Sequence, residues 1–409
     1  MDRRAFLKST AAVAATGISA RTAFAAHEAR PAGTVNRAAV IGAGIVGASI
    51  AYYLSKRGCD VVLIEKREPA AQASGNSFAW INASYFDMPK SYFALRTHSL
   101  NEYHRLAQDV DIPVRWGGSL EWYHSPETTR EIAEGVRRIQ SYGAPTWMID
   151  SERARELEPN VTLASDEQAV WCSRDGAIDP AGTTRALVDR VIENGGTTVY
   201  PATVTGIREN SNGVVVRTDS GSFMVDLAVV AAGTGANEIA SMADLGTNLL
   251  KPATPGVIVT TTPMAPLLNA VSYTTDTHFH QLPDGRVVLG EKAGPPQTDQ
   301  HRALLANQPN AYPDAQLSME HAGRIIDVAK KYVPELNDAK VETVGVGWRP
   351  LPLDGLPIIG RPENNPGIYL AAMHSGVTLA PIVGHLAAME ILDGVSVDLL
   401  SDFRVERFL

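Results

Sequence analysis

The chain has 409 residues, of which 44% are hydrophobic and 20% charged, a composition typical of a globular enzyme with more than one domain. A formal net charge of -9 with no evident basic patch argues against a nucleic-acid-binding protein. The two cysteines, Cys59 and Cys172, lack the spacing of a zinc site. They form either a disulfide or, as the simpler interpretation, two buried thiols.

The N-terminus has the pattern of an export signal. Arg3 and Arg4 precede Ala-Phe-Leu-Lys, a weakly apolar stretch over Ser9–Ala20 and the small-residue site Ala23–Ala25. The apolar stretch is shorter than the roughly 20 residues that a membrane-spanning helix needs. We therefore predict a twin-arginine signal peptide over residues 1–26, a periplasmic protein, and no transmembrane segment in the mature chain. An ordinary amphipathic N-terminal helix is the alternative.

The next segment has the pattern of a dinucleotide-binding unit. The apolar run Arg37–Ile41 predicts a strand, and it leads into the Gly-x-Gly-x-x-Gly turn Gly42–Gly47. A helix over Ala48–Lys56 and a buried strand over Val61–Ile64 follow, and Glu65 stands at the end of that strand. Strand, glycine turn, helix, strand and acid within about 30 residues make the motif specific.

Each residue of the motif has a physical role. Gly42 allows the tight turn, Gly44 lets the backbone approach a pyrophosphate, and Gly47 lets the helix pack on the strand. The pyrophosphate then lies at the helix N-terminus, where free N–H groups and the helix dipole favour an anion. Glu65 is placed to accept hydrogen bonds from the ribose hydroxyls, and its charge argues against NADP.

Two later stretches separate FAD from NAD. The first is a predicted hairpin of Val204–Ile207 with Gly213–Arg217, and a strand over Val225–Val230 that ends in Ala-Ala-Gly-Thr-Gly. The second is a strand over Gly367–Met373 and a helix over Ile382–Leu392. The turn between that strand and that helix, residues 374–378, can hold the polar end of a flavin ring by backbone N–H groups.

In their order along the chain, these motifs resemble the D-amino-acid-oxidase-like flavoproteins, which include glycine oxidase, sarcosine oxidase and D-amino-acid dehydrogenases. The resemblance extends from about Arg37 to Leu392. It implies a fold of class α/β + α+β, in which a discontinuous, Rossmann-like FAD-binding domain is joined to a mostly antiparallel β-sheet substrate domain. The predicted FAD-binding segments are 36–90, 173–250 and 336–409 with the C-terminal helix, and the substrate-domain segments are 91–172 and 251–335.

The substrate domain takes its predicted elements from the rest of the chain. Its strands are Trp116–Tyr123, Gly256–Thr262, Thr277–Leu282 and Gly285–Gly290, and its helices are Pro126–Tyr142 and Leu317–Tyr332.

The resemblance also implies which residues hold the FAD. Some relatives attach flavin covalently through a His that would fall in residues 70–80 or a Cys that would fall near 349–357, and neither segment contains one. We therefore expect non-covalent FAD. The predicted cofactor-binding residues are Gly42, Gly44, Ile45, Val46, Gly47, Glu65, Lys66, Ser74, Gly75, Asn76, Val204, Gly233, Thr234, His374, Ser375, Gly376, Val377 and Thr378.

Arg349 is the predicted anchor for a substrate carboxylate. It lies in Gly-Trp-Arg-Pro-Leu-Pro, a segment that resembles the one carrying the carboxylate-binding arginine of glycine oxidase, and a guanidinium binds a carboxylate with two parallel hydrogen bonds. The alternative is a surface ion pair with Asp354. His278 and His280 alternate along a predicted strand, so they face either the flavin or the solvent together.

Other side chains have weaker claims to the site. Tyr85 and Tyr273 can cap the substrate, or can be ordinary core or surface tyrosines. A general base is not required, because a neutral amine can lose hydride directly and the imine then hydrolyses in water.

We therefore predict an FAD-dependent oxidoreductase for a small amine or amino acid, namely a D-amino acid, glycine or an N-methyl amino acid. The hydride passes from the substrate Cα to flavin N5. The electron acceptor is oxygen, or a membrane quinone or cytochrome. A 2-hydroxy-acid dehydrogenase with His278 or His280 as its base, a non-catalytic flavin-binding module and an NAD-dependent enzyme remain alternatives.

Overall fold

A computed structural model of the chain describes residues 35–245, 248–292 and 294–408. The predicted signal peptide over residues 1–26 lies outside the described residues, so export stays a prediction. The first described strand starts at Arg37.

In the described residues, strands β1 to β20 are Arg37–Ile41, Asp60–Ile64, Trp80–Ile81, Val114–Arg115, Ser119–Trp122, Thr146–Asp150, Gln168–Cys172, Gly176–Ile178, Thr197–Val199, Val204–Asn210, Gly213–Thr218, Gly221–Val225, Leu227–Val230, Thr254–Thr261, Val271–Tyr273, Thr277–Gln281, Val287–Glu291, Val341–Arg349, Ile358–Gly360 and Ile368–Ala372. Helices α1 to α9 are Ile45–Lys56, Lys90–Asp109, Pro126–Gln140, Ser151–Leu157, Pro180–Glu193, Ala236–Met242, Asp299–Leu305, Ala315–Ala329 and Gly376–Asp393.

A six-stranded sheet has the order β19-β20-β13-β1-β2-β9 and is parallel except for β19. Its strands are short apolar runs, as expected where both faces of a sheet are covered. Along β1, Ala38 and Val40 enter the core that contains α1 and α9, whereas Ala39 and Ile41 enter the core on the opposite face. The predicted Rossmann-like sheet is confirmed.

Three strands of this sheet end at the same level. The register pairs Ile41 of β1 with Ile64 of β2 on one side and with Val230 of β13 on the other. The segments that follow these strands therefore meet at one edge of the sheet. In open parallel sheets, the carboxyl ends of the strands are where ligands bind.

The predicted strand Val225–Val230 is in fact divided between two sheets. Val225 ends β12 of an antiparallel three-stranded sheet, β10-β11-β12, and β13 begins at Leu227. Asp226 separates them, because its carboxylate accepts hydrogen bonds from the amides of Asn36 (2.8 Å) and Arg37 (2.9 Å) at the start of β1. The predicted hairpin of β10 with β11 is confirmed.

An eight-stranded sheet has the order β18-β14-β17-β16-β15-β5-β7-β6, and each neighbouring pair except β15 with β5 is antiparallel. It confirms the predicted, mostly antiparallel second sheet. The predicted strand Trp116–Tyr123 is shorter, since only Ser119–Trp122 is extended and paired. Gly118 precedes it with a φ of +77°, which breaks the strand. A further small sheet contains β3, β8 and β4.

Helix α9 begins at Gly376, well before the predicted start at Ile382. The predicted helix began after Pro381, and a proline inside a helix removes one backbone hydrogen bond. In the structure Pro381 lies within α9, and the carbonyl that it leaves without an amide partner is that of Val377. This carbonyl accepts a hydrogen bond from the Tyr103 hydroxyl of α2, so the helix tolerates the proline.

Within the described residues, α9 is the one helix that is long and apolar enough to cross a membrane. Yet 72% of its apolar window is buried inside the fold, where α9 packs against α1 and α2. Its apolar character is therefore explained by its position in the core.

The two large sheets take their strands from alternating stretches of the chain: residues 37–64, 197–230 and 358–372 for the six-stranded sheet, and 119–172 and 254–349 for the eight-stranded one. Strand β18 pairs with β14 in the eight-stranded sheet, although its residues fall in the predicted FAD-binding segment 336–409. The assignment of segments to two domains stays a prediction.

Candidate active site

A cavity of about 900 Å³ is lined by both large sheets. Gly42 and Gly233 line it at the edge of the six-stranded sheet, and Tyr273 and Arg349 line it on the eight-stranded sheet. The turn before α9 lines it as well. Of the predicted cofactor-binding residues, all except Gly47 and Gly75 line this cavity.

The glycine turn after β1 leaves no space for side chains on its inner side. A Cβ on Gly42, whose φ is +107°, would lie 2.4 Å from the Ala231 carbonyl oxygen, and one on Gly47 would lie 2.0 Å from the Gly42 oxygen. Gly47 therefore shapes the turn without lining the cavity. Gly44, which precedes α1, lines the cavity, and an added Cβ would meet one atom within 4 Å, Ser74 Oγ at 3.1 Å, so the backbone here faces the cavity.

The segment around Ser74 covers the start of α1. Ser74 Oγ accepts a hydrogen bond from the Ile45 amide at 2.9 Å. Asn76 packs against β18, where a Cβ on Gly347 would lie 2.2 Å from the Asn76 carbonyl oxygen. Gly75 lies away from the cavity and donates its amide to the Ala70 carbonyl. The predicted wrapping segment thus joins the α1 terminus to the eight-stranded sheet.

Glu65 is held at the end of β2 by two backbone amides. Its carboxylate accepts hydrogen bonds from Ala43 N at 2.9 Å and from Arg67 N at 3.0 Å. Lys66 and Val204 line the cavity beside it. A half-buried carboxylate fixed in this way fits the predicted contact with ribose hydroxyls.

The turn before α9 is fixed by an arginine that the sequence analysis missed. Arg96 of α2 is buried and lines the cavity, and it donates from Nη1 to Ser375 Oγ at 2.8 Å and from Nε to the Asn82 carbonyl at 2.9 Å. Burial lowers the pKa of neighbouring His374 to about 4, with help from the charges of Arg349 and Arg96. His374 is therefore neutral at neutral pH.

Arg349 ends β18 and points its guanidinium at the cavity. Its Nη1 donates to the Pro255 carbonyl at 2.9 Å, and the absence of a side chain at Gly256 makes room for it, because a Cβ there would lie 2.7 Å from Nη2. Among the described carboxylates, none lies within 4.0 Å of Arg349. Asp354 pairs instead with Arg407 at 2.7 Å, so the predicted alternative of a surface ion pair with Arg349 is wrong.

The structure separates the two predicted histidines. His278 lines the cavity and stacks on Tyr273, with ring centroids 5.3 Å apart. His280 does not line it, because its Nε2 lies 2.7 Å from the carbonyl oxygen of Phe78, whose ring also contacts both imidazoles. Burial lowers the pKa of His278 to about 3 and that of His280 to about 4. The solvent-facing alternative is wrong, and only His278 of the pair reaches the cavity.

A second group of cavity residues was also missed. Glu121 of β5 is buried and accepts a hydrogen bond from the Tyr123 hydroxyl. Lys292 follows β17, and its Nζ lies 4.1 Å from the ring centroid of Tyr123 and 4.4 Å from that of Tyr273. Burial raises the pKa of Glu121 to about 7 and lowers that of Lys292 to about 8. Glu121 and Tyr123 alternate along the predicted strand Trp116–Tyr123, which predicts that they share a face. The sequence contains no signal that this strand lies beside β15, so the contact with Lys292 could not be predicted.

The two predicted capping tyrosines, Tyr85 and Tyr273, both line the cavity, and Tyr85 is 50% exposed. In the part of the chain that the structure describes, no cysteine lines it. Cys59 and Cys172 are buried, free thiols, so the disulfide alternative is wrong.

Comparisons with known proteins agree with this geometry. Residues 37–389 match the family model described as DAO, FAD dependent oxidoreductase. One of the opine oxidase subunits of Agrobacterium tumefaciens is 26% identical, over 90% of this chain and 96% of its own, and glycine oxidase of Geobacillus kaustophilus is 25% identical, over 86% and 91%. The crystal structure of glycine oxidase from Geobacillus kaustophilus superimposes with a TM-score of 0.79 at 22% identity, covering 91% of this chain and all of that one.

Proposed function

The chain belongs to the DAO family of FAD-dependent oxidoreductases, and from that premise we propose that it oxidises a small amine or amino acid at the carbon that bears the nitrogen. Bound FAD supplies the hydride acceptor for this reaction. The observation that carries the proposal is Arg349, a cation in the cavity whose guanidinium has no carboxylate partner among the described residues.

The cavity residues fit FAD. The open backbone at Gly44 and the α1 terminus suit the pyrophosphate, and the fixed carboxylate of Glu65 suits the adenosine ribose. The N–H groups at the α9 terminus and the positive charge of Arg96, which holds this terminus through Ser375, would suit the polar end of a flavin ring. With no cysteine among the described cavity residues and no histidine in residues 70–80, we propose that FAD is held without a covalent bond.

Arg349 orients the substrate. A guanidinium binds a carboxylate with two parallel hydrogen bonds, which fixes both the position and the rotation of an amino acid. The Pro255 carbonyl and the packing against Gly256 restrict the movement of Arg349, so the carboxylate would bind a pre-positioned group. His278 and His374 also line the cavity, and because both are neutral they do not oppose loss of a proton from the substrate nitrogen.

The test is an absorbance spectrum of the purified protein, followed by anaerobic addition of amino acids, N-methylated amines and 2-hydroxy acids. We expect flavin bands that bleach with an amine carrying a carboxylate. Bleaching by hydroxy acids alone would replace the proposed reaction by alcohol oxidation. Bands that persist through the whole panel would contradict an enzyme of either kind.

We also propose export through the twin-arginine route, on the basis of Arg3, Arg4 and the segment that follows them. The variant with Arg3→Lys and Arg4→Lys should remain inside the cell, whereas the natural sequence should reach the periplasm. Equal amounts of both proteins in the periplasmic fraction would contradict the proposal.

A further inference from the structure

The part of the cavity that the eight-stranded sheet lines, here called the substrate end, contains two cations, Arg349 and Lys292. Arg349 lines one part of it, and Lys292 lies against the rings of Tyr123 and Tyr273. The Tyr273 ring contacts the Lys292 ammonium on one side and stacks on His278. The charges of Arg349 and Lys292 both help to lower the pKa of His278, so the two cations act on the same part of the cavity. One monocarboxylate substrate would pair with only one of these charges.

Lys292 is held but not neutralised. Its Nζ lies 4.1 Å and 4.4 Å from two aromatic ring centroids, a geometry that stabilises an ammonium by its attraction to the π faces. No carboxylate of the described residues lies within 4.0 Å of it. Because burial lowers its pKa only to about 8, Lys292 remains mostly charged at neutral pH.

Glu121, the acid that acts most strongly on Lys292, does not cancel this charge. Glu121 is buried, its carboxyl is engaged by the Tyr123 hydroxyl, and its pKa is raised to about 7 by burial. It is therefore only partly ionised when Lys292 is charged.

Asp276 also acts on Lys292, but it does not line the cavity, and its carboxylate accepts a hydrogen bond from the Tyr332 hydroxyl at 3.0 Å. The histidines of the lining, His278 and His374, are neutral. The substrate end thus has a net positive charge beyond what one carboxylate offsets.

We infer that Lys292, supported by Tyr123 and Tyr273, is a second anion-binding site, and that the substrate is an amino or imino acid carrying a second carboxylate. This inference rests on the proposed function and specifies its substrate class. Arg349 binds the carboxylate next to the reacting carbon, and Lys292 binds the distal one. The distal contact raises affinity for dicarboxylates and selects against side chains that end in a cation.

The experiment compares matched pairs of compounds that differ by one charge. Iminodiacetate is compared with its monoamide, and aspartate with asparagine in both enantiomers, by anaerobic flavin reduction and by kcat/KM. For whichever pair is oxidised, we expect the dicarboxylate to be preferred by about 10- to 100-fold, the range for a hydrogen bond to a charged group. Lys292→Met should remove this preference by lowering kcat/KM for the dicarboxylate alone, and Lys292→Arg should retain most of it.

Binding without turnover keeps the test independent of the reaction. Succinate and succinamate are titrated into the holoenzyme, and the flavin absorbance change gives each Kd. Succinate should bind about 10-fold or more tightly, and Lys292→Met should remove that difference. The control is Lys331→Met, which removes an exposed lysine outside the cavity and should leave both ratios unchanged.

The two proposals can fail separately. If no amine reduces the flavin but succinate binding depends on Lys292, the proposed reaction is wrong and the second anion site stands. If amines reduce the flavin and Lys292→Met affects both members of each pair equally, the reaction stands and the second site is overturned. Equal affinity of the natural protein for succinate and succinamate would also overturn it.

Discussion

The nucleotide end and the substrate end of the cavity are assembled in different ways. At the nucleotide end, Gly42, Gly44 and Glu65 lie within one β1–α1–β2 unit. The substrate end draws on three strands of the eight-stranded sheet. Glu121 lies in β5, Lys292 directly follows β17, and Arg349 ends β18. The first end is local in sequence and depends on backbone geometry, whereas the second depends on long-range pairing and on side-chain charge. Substitutions at the two ends should therefore have different consequences.

The largest effect is expected at the nucleotide end. Gly44→Val places a branched side chain where the backbone faces the cavity, so FAD affinity should fall by about 1000-fold or more, because the steric overlap and each lost amide contact cost about 1–3 kcal/mol. The flavin content per purified chain measures it. Gly323→Val on α8, where an added Cβ meets no atom within 4 Å, is the matched control. Full flavin content in Gly44→Val would contradict the placement of the pyrophosphate.

Arg349→Ala should impair the substrate end and leave FAD binding at the nucleotide end unchanged. We expect kcat/KM for carboxylate substrates to fall by about 30- to 1000-fold, the usual cost of removing one partner of a buried charge pair, while the flavin content stays normal. Arg407→Ala breaks the surface ion pair with Asp354 and should leave kcat/KM unchanged. A variant that loses its flavin together with its activity would mean that Arg349 supports the cofactor instead.

The stability of the substrate end should depend on pH through Glu121. Its pKa in the folded protein, about 7, is above its ordinary value of 4.5, so the folded state binds this proton more tightly than the unfolded chain does. The resulting contribution to the free energy of unfolding is complete below pH 4.5 and is lost as the pH rises through 7. Glu121→Gln removes this dependence. Between pH 5 and pH 8, the variant should gain about 2–3 kcal/mol in unfolding free energy relative to the natural protein. Urea unfolding of both proteins at both pH values measures it, and a constant difference would contradict the burial of this charge.

The smallest effect concerns the first turns of α9. The Val377 carbonyl has no amide partner within α9, because residue 381 is a proline, and it accepts a hydrogen bond from the Tyr103 hydroxyl instead. Tyr103→Phe removes that hydrogen bond and should lower the free energy of unfolding by about 1–2 kcal/mol. Thermal unfolding of the holoenzyme measures it. Tyr142→Phe, whose hydroxyl has no hydrogen-bond partner among the described residues, should be neutral. Equal melting temperatures for Tyr103→Phe and the natural protein would show that water or the start of α9 satisfies this carbonyl.

Several cavity residues could not be predicted from the sequence, for a physical reason. Arg96 lies in a helix that contains no recognisable motif, and its role follows only from contact with Asn82 and Ser375. Lys292 contacts the rings of Tyr123, which follows β5, and Tyr273, which ends β15, and these two strands are far apart in sequence. Strand periodicity predicts which residues share a face, but it does not predict which strands pair.

The histidines illustrate the same limit. Alternation placed His278 and His280 on one face of β16, and both indeed contact the Phe78 ring. Yet only His278 reaches the cavity, because the backbone at Phe78 covers His280. One loop segment packed on the sheet decides the difference, and its position is a tertiary property.

By itself, the sequence determined the glycine turn, the acid at the end of β2 and the family resemblance, because each depends on residues close in the chain and on backbone conformations that few residues adopt. It also located Arg349 through the segment that carries it. The tertiary structure alone decided that α9 starts before Pro381, that Asp354 pairs with Arg407, and that Lys292 meets two tyrosine rings. These outcomes depend on partners distant in sequence, whose packing and charge act only once the sheets are assembled.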